Sequence, residues 1–532
     1  MLQILNAHIH TMKDRQEASC MCIEHGSIVY IGDHIPEVYK GAKRVDMGGR
    51  VIIPGIIDSH SHLLSCANTF RQADLSTAES FADIQRILAD FIRLHPPKEH
   101  EWISGVGYDH NLLKEHRHPD ANVLDAVQDW PIVITHASSH MGVASHAALH
   151  LAGIPNDAAD PNGGRYARNR DGTLSGYMEE NAFTSFLNHV PMPSLEELMK
   201  LLEDALQLYA SYGITTIQDG MMNEAVYAIL KEAADRQILK QDVVGYVGIK
   251  DSAALLEACR PKGSSYQNHF RIGGYKMFLD GSPQGRTAWM TTPYQGDSDD
   301  YGYGTMSDEE SAACIRKSLL ENQQLLAHCN GDAAAQQYLT QFEKVVKELN
   351  CRDTHRPVMI HAQLVREDQI RRMKPLHMIP SFFAAHVWYW GDVHIENFGF
   401  RRASSISPLQ TALRAGIPFT LHTDTPVIPA NLMETVWCAA VRRTKKGILL
   451  GEKERISVYE ALQAVTQHAA WQYHEEDCKG TLEAGKLADF AVLDRDPLNV
   501  AVEEVRYIQV LQTWKEGACI YDREQQSGYC SK

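Results

Sequence analysis

Two histidines, His60 and His62, stand one residue apart at the end of the apolar run 51–57. In an extended chain, residues i and i+2 face the same side, so both imidazoles can be offered to one point. Imidazole is the commonest protein ligand for an ion such as zinc. A lone pair of this kind is more often two solvated loop histidines. Three later apolar runs, however, also end in ligand-type residues: 325–328 in His328, 358–361 in His361 and 419–424 in Asp424. If these ends converge, the chemistry is that of a bound metal ion, because four imidazoles and a carboxylate would meet at one place.

A lysine complicates the set. The stretch GGYKMFLDGSP, residues 273–283, reads as a buried strand with Lys276 at its start. Lysine is among the residues least often buried. Alone, it would snorkel its ammonium to water. Beside a metal cluster, an ammonium would repel the ions.

Converging strand ends need a particular fold. Strand-like runs occur at 51–57, 214–218, 242–249, 272–279, 323–329, 357–362, 376–382 and 416–423. Helical patterns lie between several of them. One opens on a capping box, Ser194 with Glu197, and ends at Gly213; another covers 223–236. Eight strands with intervening helices predict an α/β chain with a (β/α)8 TIM-type barrel, whose active site lies at the C-terminal strand ends. An open doubly wound sheet is the alternative, but no glycine-rich phosphate fingerprint follows the first strand. Residues 1–50 and 476–532 carry short strand-like runs and predict a small β-sandwich domain built from both chain ends, with 51–475 as the barrel. Residues 65–193 are too long for a loop and predict an insertion after the first barrel strand with structure of its own.

The chain has 532 residues, 44% hydrophobic and 22% charged, with a formal net charge of -16. That composition suits a soluble globular protein and argues against nucleic acid, which needs a basic surface. No uninterrupted apolar run of about 18 residues predicts a membrane span, and the N-terminus lacks a signal-peptide pattern. Eleven cysteines, odd in number and unpatterned, argue against a disulfide framework and for a reducing cytoplasm. Cys20 and Cys22 read as two buried thiols on one strand. Homo-oligomerisation stays open.

The order of these residues resembles the amidohydrolase superfamily over nearly the whole chain. Residues 54–62, PGIIDSHSH, resemble its opening motif. Lys276–Gly281, Arg286–Trp289, His328–Asp332, His361–Val365 and Thr423–Val427 resemble more closely the subgroup that includes N-substituted formamide deformylase. The resemblance implies that His60 and His62 bind a first metal with Asp424, and that His328 and His361 bind a second. Lys276 would be carbamylated and bridge the two, which turns a repelling ammonium into a bridging anion. Zinc is the expected ion, one or two per chain. Asp424 would act as general base and then general acid. The implied substrate is a small linear amide, an N-substituted formamide or related acyl amide. Cyclic-amide opening or deamination is the alternative, and a non-catalytic metal-binding regulator is an alternative of another class.

Weaker candidates surround this set. Asp332 could orient His328, and His140 and Glu180 could belong to an insertion that covers the site. His386 falls in the stretch 382–392, which also fits the subgroup, and Trp388 could line a pocket or simply pack. His136, His140, His146 and His150 lie close in sequence but lack the glutamate of a helical zinc motif. One departure concerns Ile360: related sequences often carry an acid there. Its side chain is expected to point away from the barrel interior, leaving ligation by His361 intact.

Overall fold

The computed structural model describes residues 1–98, 101–191, 193–250, 254–256 and 265–526. The tail 527–532 of the expected C-terminal segment, and residues 99–100 and 192 of the expected insertion, lie outside the described residues. The chain divides into two compact units, Ser65–Leu201 and the remainder, Met1–Leu64 with Leu202–Lys532.

The larger unit contains eight parallel strands in sequential order: β1 (Ile56–Asp58), β2 (Ile214–Met222), β3 (Asp242–Gly248), β4 (Phe270–Phe278), β5 (Gln324–Cys329), β6 (Val358–His361), β7 (Ile379–Phe382) and β8 (Thr420–Leu421). Each is a short, almost wholly buried run, as strands of a parallel sheet covered on both faces must be. Helices such as Glu224–Asp235, Asp308–Leu320 and Asp332–Leu349 return the chain between them. The fold is a TIM barrel. Ile57, Val244, Tyr246, Leu326, Val358, Ile360 and Ile379, from five of the strands, pack into one interior cluster with Ala469, Ala470 and Tyr473.

The seam between β8 and β1 closes beyond the strand ends. The Asp58 carboxylate accepts bonds from the Thr423 N–H (3.2 Å) and the Thr423 hydroxyl. The Asp424 N–H donates to the His60 carbonyl (3.0 Å), and the His62 N–H to the Thr425 carbonyl (2.9 Å).

Residues 51–57 are not one barrel strand, as the apolar run suggests, but two. Val51–Pro54 pairs with His8–His10 and Phe490–Leu493, in a different sheet from β1. Pro54 has no N–H to continue the ladder. At Gly55, a Cβ would lie 2.3 Å from Thr215 Oγ1, so only glycine fits at the crossover. The barrel therefore starts at Ile56, not at residue 51.

The two chain ends form a sandwich. A four-stranded sheet (Ser27–Gly32, Cys20–Glu24, Leu2–Leu5, Lys43–Asp46) faces a six-stranded one (Ala518–Asp522, Val510–Lys515, Phe490–Leu493, Val51–Pro54, His8–His10, Glu17–Ala18). Ile4, Met21 and Ile28 from the first pack against Ile9, Ile52, Phe490 and Val492 from the second. The smaller unit has its own six-stranded mixed sheet and its own apolar core around Leu75, Leu88, Ile103, Ile134 and Val143. Among the described residues, no helix is long and apolar enough to cross a membrane.

Below the barrel, a buried ionic cluster ties β3 to the C-terminal segments. Asp242 meets Lys479 at 2.5 Å, Lys515 at 3.0 Å and His269 at 2.8 Å. Lys515 also meets Asp489 (3.1 Å), and Lys479 meets Glu475 (2.8 Å). Burial pushes the Asp242 carboxyl up, but Lys479 and Lys515 outweigh it and hold it well below the ordinary carboxylate range. A carboxylate depressed in the fold contributes stability above its unfolded pKa of about 3.9, and that contribution is lost as pH falls below it. Asp242→Asn should therefore destabilise the chain at pH 7 by roughly 3–5 kcal/mol, the cost of breaking a buried pair from one side. Denaturation followed from pH 7 down to pH 3 should show the deficit shrinking toward acid. A deficit that does not depend on pH would contradict the assignment.

Candidate metal centre

Five strand ends supply the donors. His60 and His62 follow β1, Lys276 lies in β4, His328 in β5, His361 ends β6, and Asp424 follows β8. Asp424 Oδ1 lies 3.3 Å from both His60 Nε2 and His62 Nε2. Its Oδ2 faces His361 Nε2 at 3.9 Å, and that nitrogen lies 3.2 Å from His328 Nδ1. Lys276 Nζ stands 3.3 Å from His60 Nε2. A charge-assisted hydrogen bond would be shorter, about 2.7–2.9 Å. Donor atoms sharing an ion at about 2.0–2.1 Å lie about 3.3 Å apart along a tetrahedral edge. Among these, His60, His361 and Asp424 lie close enough together to hold one ion.

Each imidazole uses its other nitrogen on a protein partner. His62 Nδ1 faces the Gly220 carbonyl at 3.2 Å. A carbonyl only accepts, so the proton sits on Nδ1 and Nε2 is free to ligate. His60 Nδ1 donates in the same way to Gln218 Oε1 at 2.5 Å. The Gln218 amide is oriented by its own donation to the Ser59 carbonyl (2.7 Å) and the Tyr473 hydroxyl (3.0 Å). His328 Nε2 faces the Gly281 carbonyl (3.2 Å), which turns Nδ1 inward. His361 Nδ1 meets His422 Nε2 (3.2 Å), and His422 Nδ1 meets the Ser381 hydroxyl (2.8 Å). This outer shell orients metal-binding histidines and sets their tautomers.

Electrostatics suit the same use. Burial, then the charge of Lys276, holds His60 well below its ordinary pKa. His361 is held down by burial and then by His328 and His422. Both are neutral imidazoles, the form that ligates. Lys276 is fully buried. Burial pulls its ammonium down to about 7, against Asp424, which raises it.

The backbone departs from regularity at the donors. His361 (φ 70°), Ala362 (φ 46°) and Asp424 (φ 57°) all occupy the left-handed region, where strain concentrates at functional sites. This explains a correction at Ile360. Its side chain does not point away from the interior; it pairs in register with His328 and packs with Leu326, Val358 and Ile379 inside the barrel. Simple alternation would then send His361 outward. The positive φ turns it back to the mouth instead.

Other expected residues have different surroundings. Asp332 is held by Arg366 (2.7 Å) and the Thr291 N–H (2.8 Å). The acid beside His328 is Asp280, with Oδ1 3.7 Å from Nε2, and it also accepts the Asn330 N–H at 2.9 Å. His386 bonds His394 (3.0 Å) and packs on Phe383, whose ring lies 5.2 Å from that of His422. Trp388 stacks on the Arg506 guanidinium at 4.3 Å, which Trp437 covers from 4.1 Å. In the smaller unit, His140 pairs with Glu180 at 2.8 Å, and Glu180 is itself at φ 48°. His146 pairs with Asp125 (2.5 Å), whereas His136 packs against His110 (3.1 Å). The Ser138 N–H donates to His136 Nδ1 (3.0 Å), which leaves the proton on Nε2 and argues against ligation there.

Sequence reasoning missed His422, Gln218 and Asp280. His422 had a signal: it lies two residues before Asp424, the same spacing that singled out His60 and His62. Gln218 had none until β2 was placed beside β1.

The amidohydrolase family model matches residues 43–521. The N-substituted formamide deformylase of Arthrobacter pascens is 27% identical over 98% of this chain and 98% of its own length. The protein LONG AFTER FAR-RED 3 of Arabidopsis thaliana is 26% identical over 95% of this chain and 88% of its own. An uncharacterized metal-dependent hydrolase of Pyrococcus horikoshii superposes with a TM-score of 0.77 at 25% identity, over 94% of this chain and 99% of that one.

Gln218→Leu removes the acceptor that orients His60. Metal affinity measured by chelator competition should fall about 10–100-fold, with circular dichroism unchanged. Unchanged affinity would remove Gln218 from the outer shell. With a barrel that gathers neutral, pre-oriented imidazoles around a carboxylate, and a family match across most of its length, the chain belongs to the amidohydrolase family and is a metal-dependent hydrolase.

Proposed function

We propose that the chain hydrolyses small linear amides, N-substituted formamides first among them. Asp424 carries this reading. Its two oxygens face different histidines, and its side chain keeps 12% exposure beside the 23% of His62. It can therefore meet both ions and solvent. The likeness to a formamide deformylase over both full lengths supports the substrate class.

His60, His62 and Asp424 would hold one divalent ion, and His328 and His361 a second, with zinc favoured by the nitrogen-rich donor set. Such ions supply Lewis acidity and lower the pKa of water to near neutrality. Asp424 accepts the proton of the attacking water and returns it to the nitrogen of the leaving amine as the C–N bond breaks. The outer hydrogen bonds keep the imidazoles in ligating tautomers throughout. Lys276, its pKa drawn to about 7, has a neutral amine fraction at physiological pH. That amine would add to CO₂ with release of a proton, and the resulting carbamate would offer anionic oxygen ligands in place of an ammonium.

A panel of N-substituted formamides, acyl amides, cyclic amides and amino-heterocycles should show highest kcat/KM on the formamides. Preference for a cyclic amide or an amino-heterocycle would replace the substrate class while leaving the centre intact. Asp424→Asn should lower kcat by roughly 10²–10⁴-fold. Lys276→Ala should lose activity and recover part of it with added short carboxylic acids. Absence of rescue would count against the bridging carbamate. Full activity in His60→Ala would remove the centre itself from the reaction.

A further inference from the structure

The β-sandwich carries a second cluster of metal-type donors. His8 and His10 lie on one strand two residues apart, and Glu17 stands directly opposite His10 on the antiparallel neighbour. Asp496 arrives from the turn after Phe490–Leu493. There it is set in place by bonds from the Leu498 N–H (2.9 Å) and the Asn499 side chain (2.7 Å).

The four side chains form two layers. On the inner side, His8 Nδ1 lies 3.3 Å from Asp496 Oδ2, and His10 Nε2 lies 3.0 Å from Oδ1. The opposite nitrogens of the same rings face Glu17, with His8 Nε2 3.2 Å from Oε2 and His10 Nδ1 3.5 Å from Oε1. The ring centroids are 4.5 Å apart. Donor atoms about 3.0–3.4 Å apart suit ligands of one ion at about 2.0–2.1 Å. A carboxylate behind metal-binding imidazoles is the usual outer partner, because it accepts the N–H of the non-ligating nitrogen. Among the described residues, neither Glu17 nor Asp496 is paired with lysine or arginine. With neutral imidazoles the cluster carries two negative charges, which one divalent cation balances.

We propose that His8, His10 and Asp496 bind a divalent transition-metal ion of the zinc class, with Glu17 as the outer carboxylate. The site is independent of the barrel centre and of the substrate. It clips the N-terminal strand to the C-terminal segment, the two chain ends from which the sandwich is built. His10 is nearly buried and His8 is 37% exposed, so an ion reaches the site from solvent.

Zinc titration of the chelator-treated full chain tests this, with bound metal counted by mass spectrometry after gel filtration. Asp496→Asn and His10→Ala should each hold one ion fewer than the parent chain. The zinc-induced rise in melting temperature should be smaller in Asp496→Asn than in the parent chain, and smaller again in His60→Ala with Asp496→Asn than in His60→Ala alone. Glu17→Gln, at a well-exposed position where folding is not at risk, should weaken this site about 10–100-fold without changing the barrel count. Equal metal counts in the parent chain and Asp496→Asn would overturn the proposal. So would a cluster that stabilises the fold only on acidification and gives no response to zinc, since the histidines would then be imidazolium bridges between the two carboxylates.

Discussion

The seam between the first and last barrel strands governs the rest of the centre. Asp58 and Thr423 are 365 residues apart in sequence, and their hydrogen bonds register β1 against β8. The same seam carries the backbone bonds Asp424 to His60 and His62 to Thr425. Once these form, the Asp424 carboxylate has to lie against the two first histidines. The Asp58 carboxyl is fully buried, and burial pushes its pKa up to about 7, against the Thr423 bonds that lower it. The barrel therefore accepts a desolvated acid where it needs its closing contact.

Around that seam, burial and hydrogen bonding act in concert. Burial makes His60 and His361 neutral and draws Lys276 toward an uncharged amine. Hydrogen bonds from the outer nitrogens then choose which lone pair points inward. Close approach matters as well. At Gly220, a Cβ would lie 3.1 Å from the Cε1 atoms of both His60 and His62, so glycine leaves the two imidazoles room beside the carbonyl that accepts the His62 hydrogen bond. Below the donors, Ile360, Leu326 and Tyr246 fill the barrel with apolar volume and keep the centre at the mouth.

The ionic cluster around Asp242 has a complementary role at the other end of the barrel. Lys479 and Lys515, carried by the C-terminal segments, meet Asp242 at the start of β3. These contacts tie the chain's last strands to the barrel they follow, and the sandwich then gathers both chain ends beside it.

The amino-acid sequence by itself marked where the barrel strands lie, the first of them inside a longer run, and singled out the side chains that the fold gathers at their ends. Parallel strands covered on both faces must be short apolar runs, and a ligand-type residue ending such a run stands out against it. The two-residue spacing of His60 and His62 follows from strand periodicity alone. Tertiary structure decided the rest. Val51–Ile57 looked like one run, and only the packing of Gly55 against Thr215 divides it between two sheets. Asp332 is near His328 in sequence, but folding sets Asp280 beside it. Ile360 was expected to face outward, and positive φ at His361 reverses the alternation. Gln218 became the partner of His60 only when β2 met β1, because hydrogen bonds between strand ends depend on register and closure, which no local pattern records.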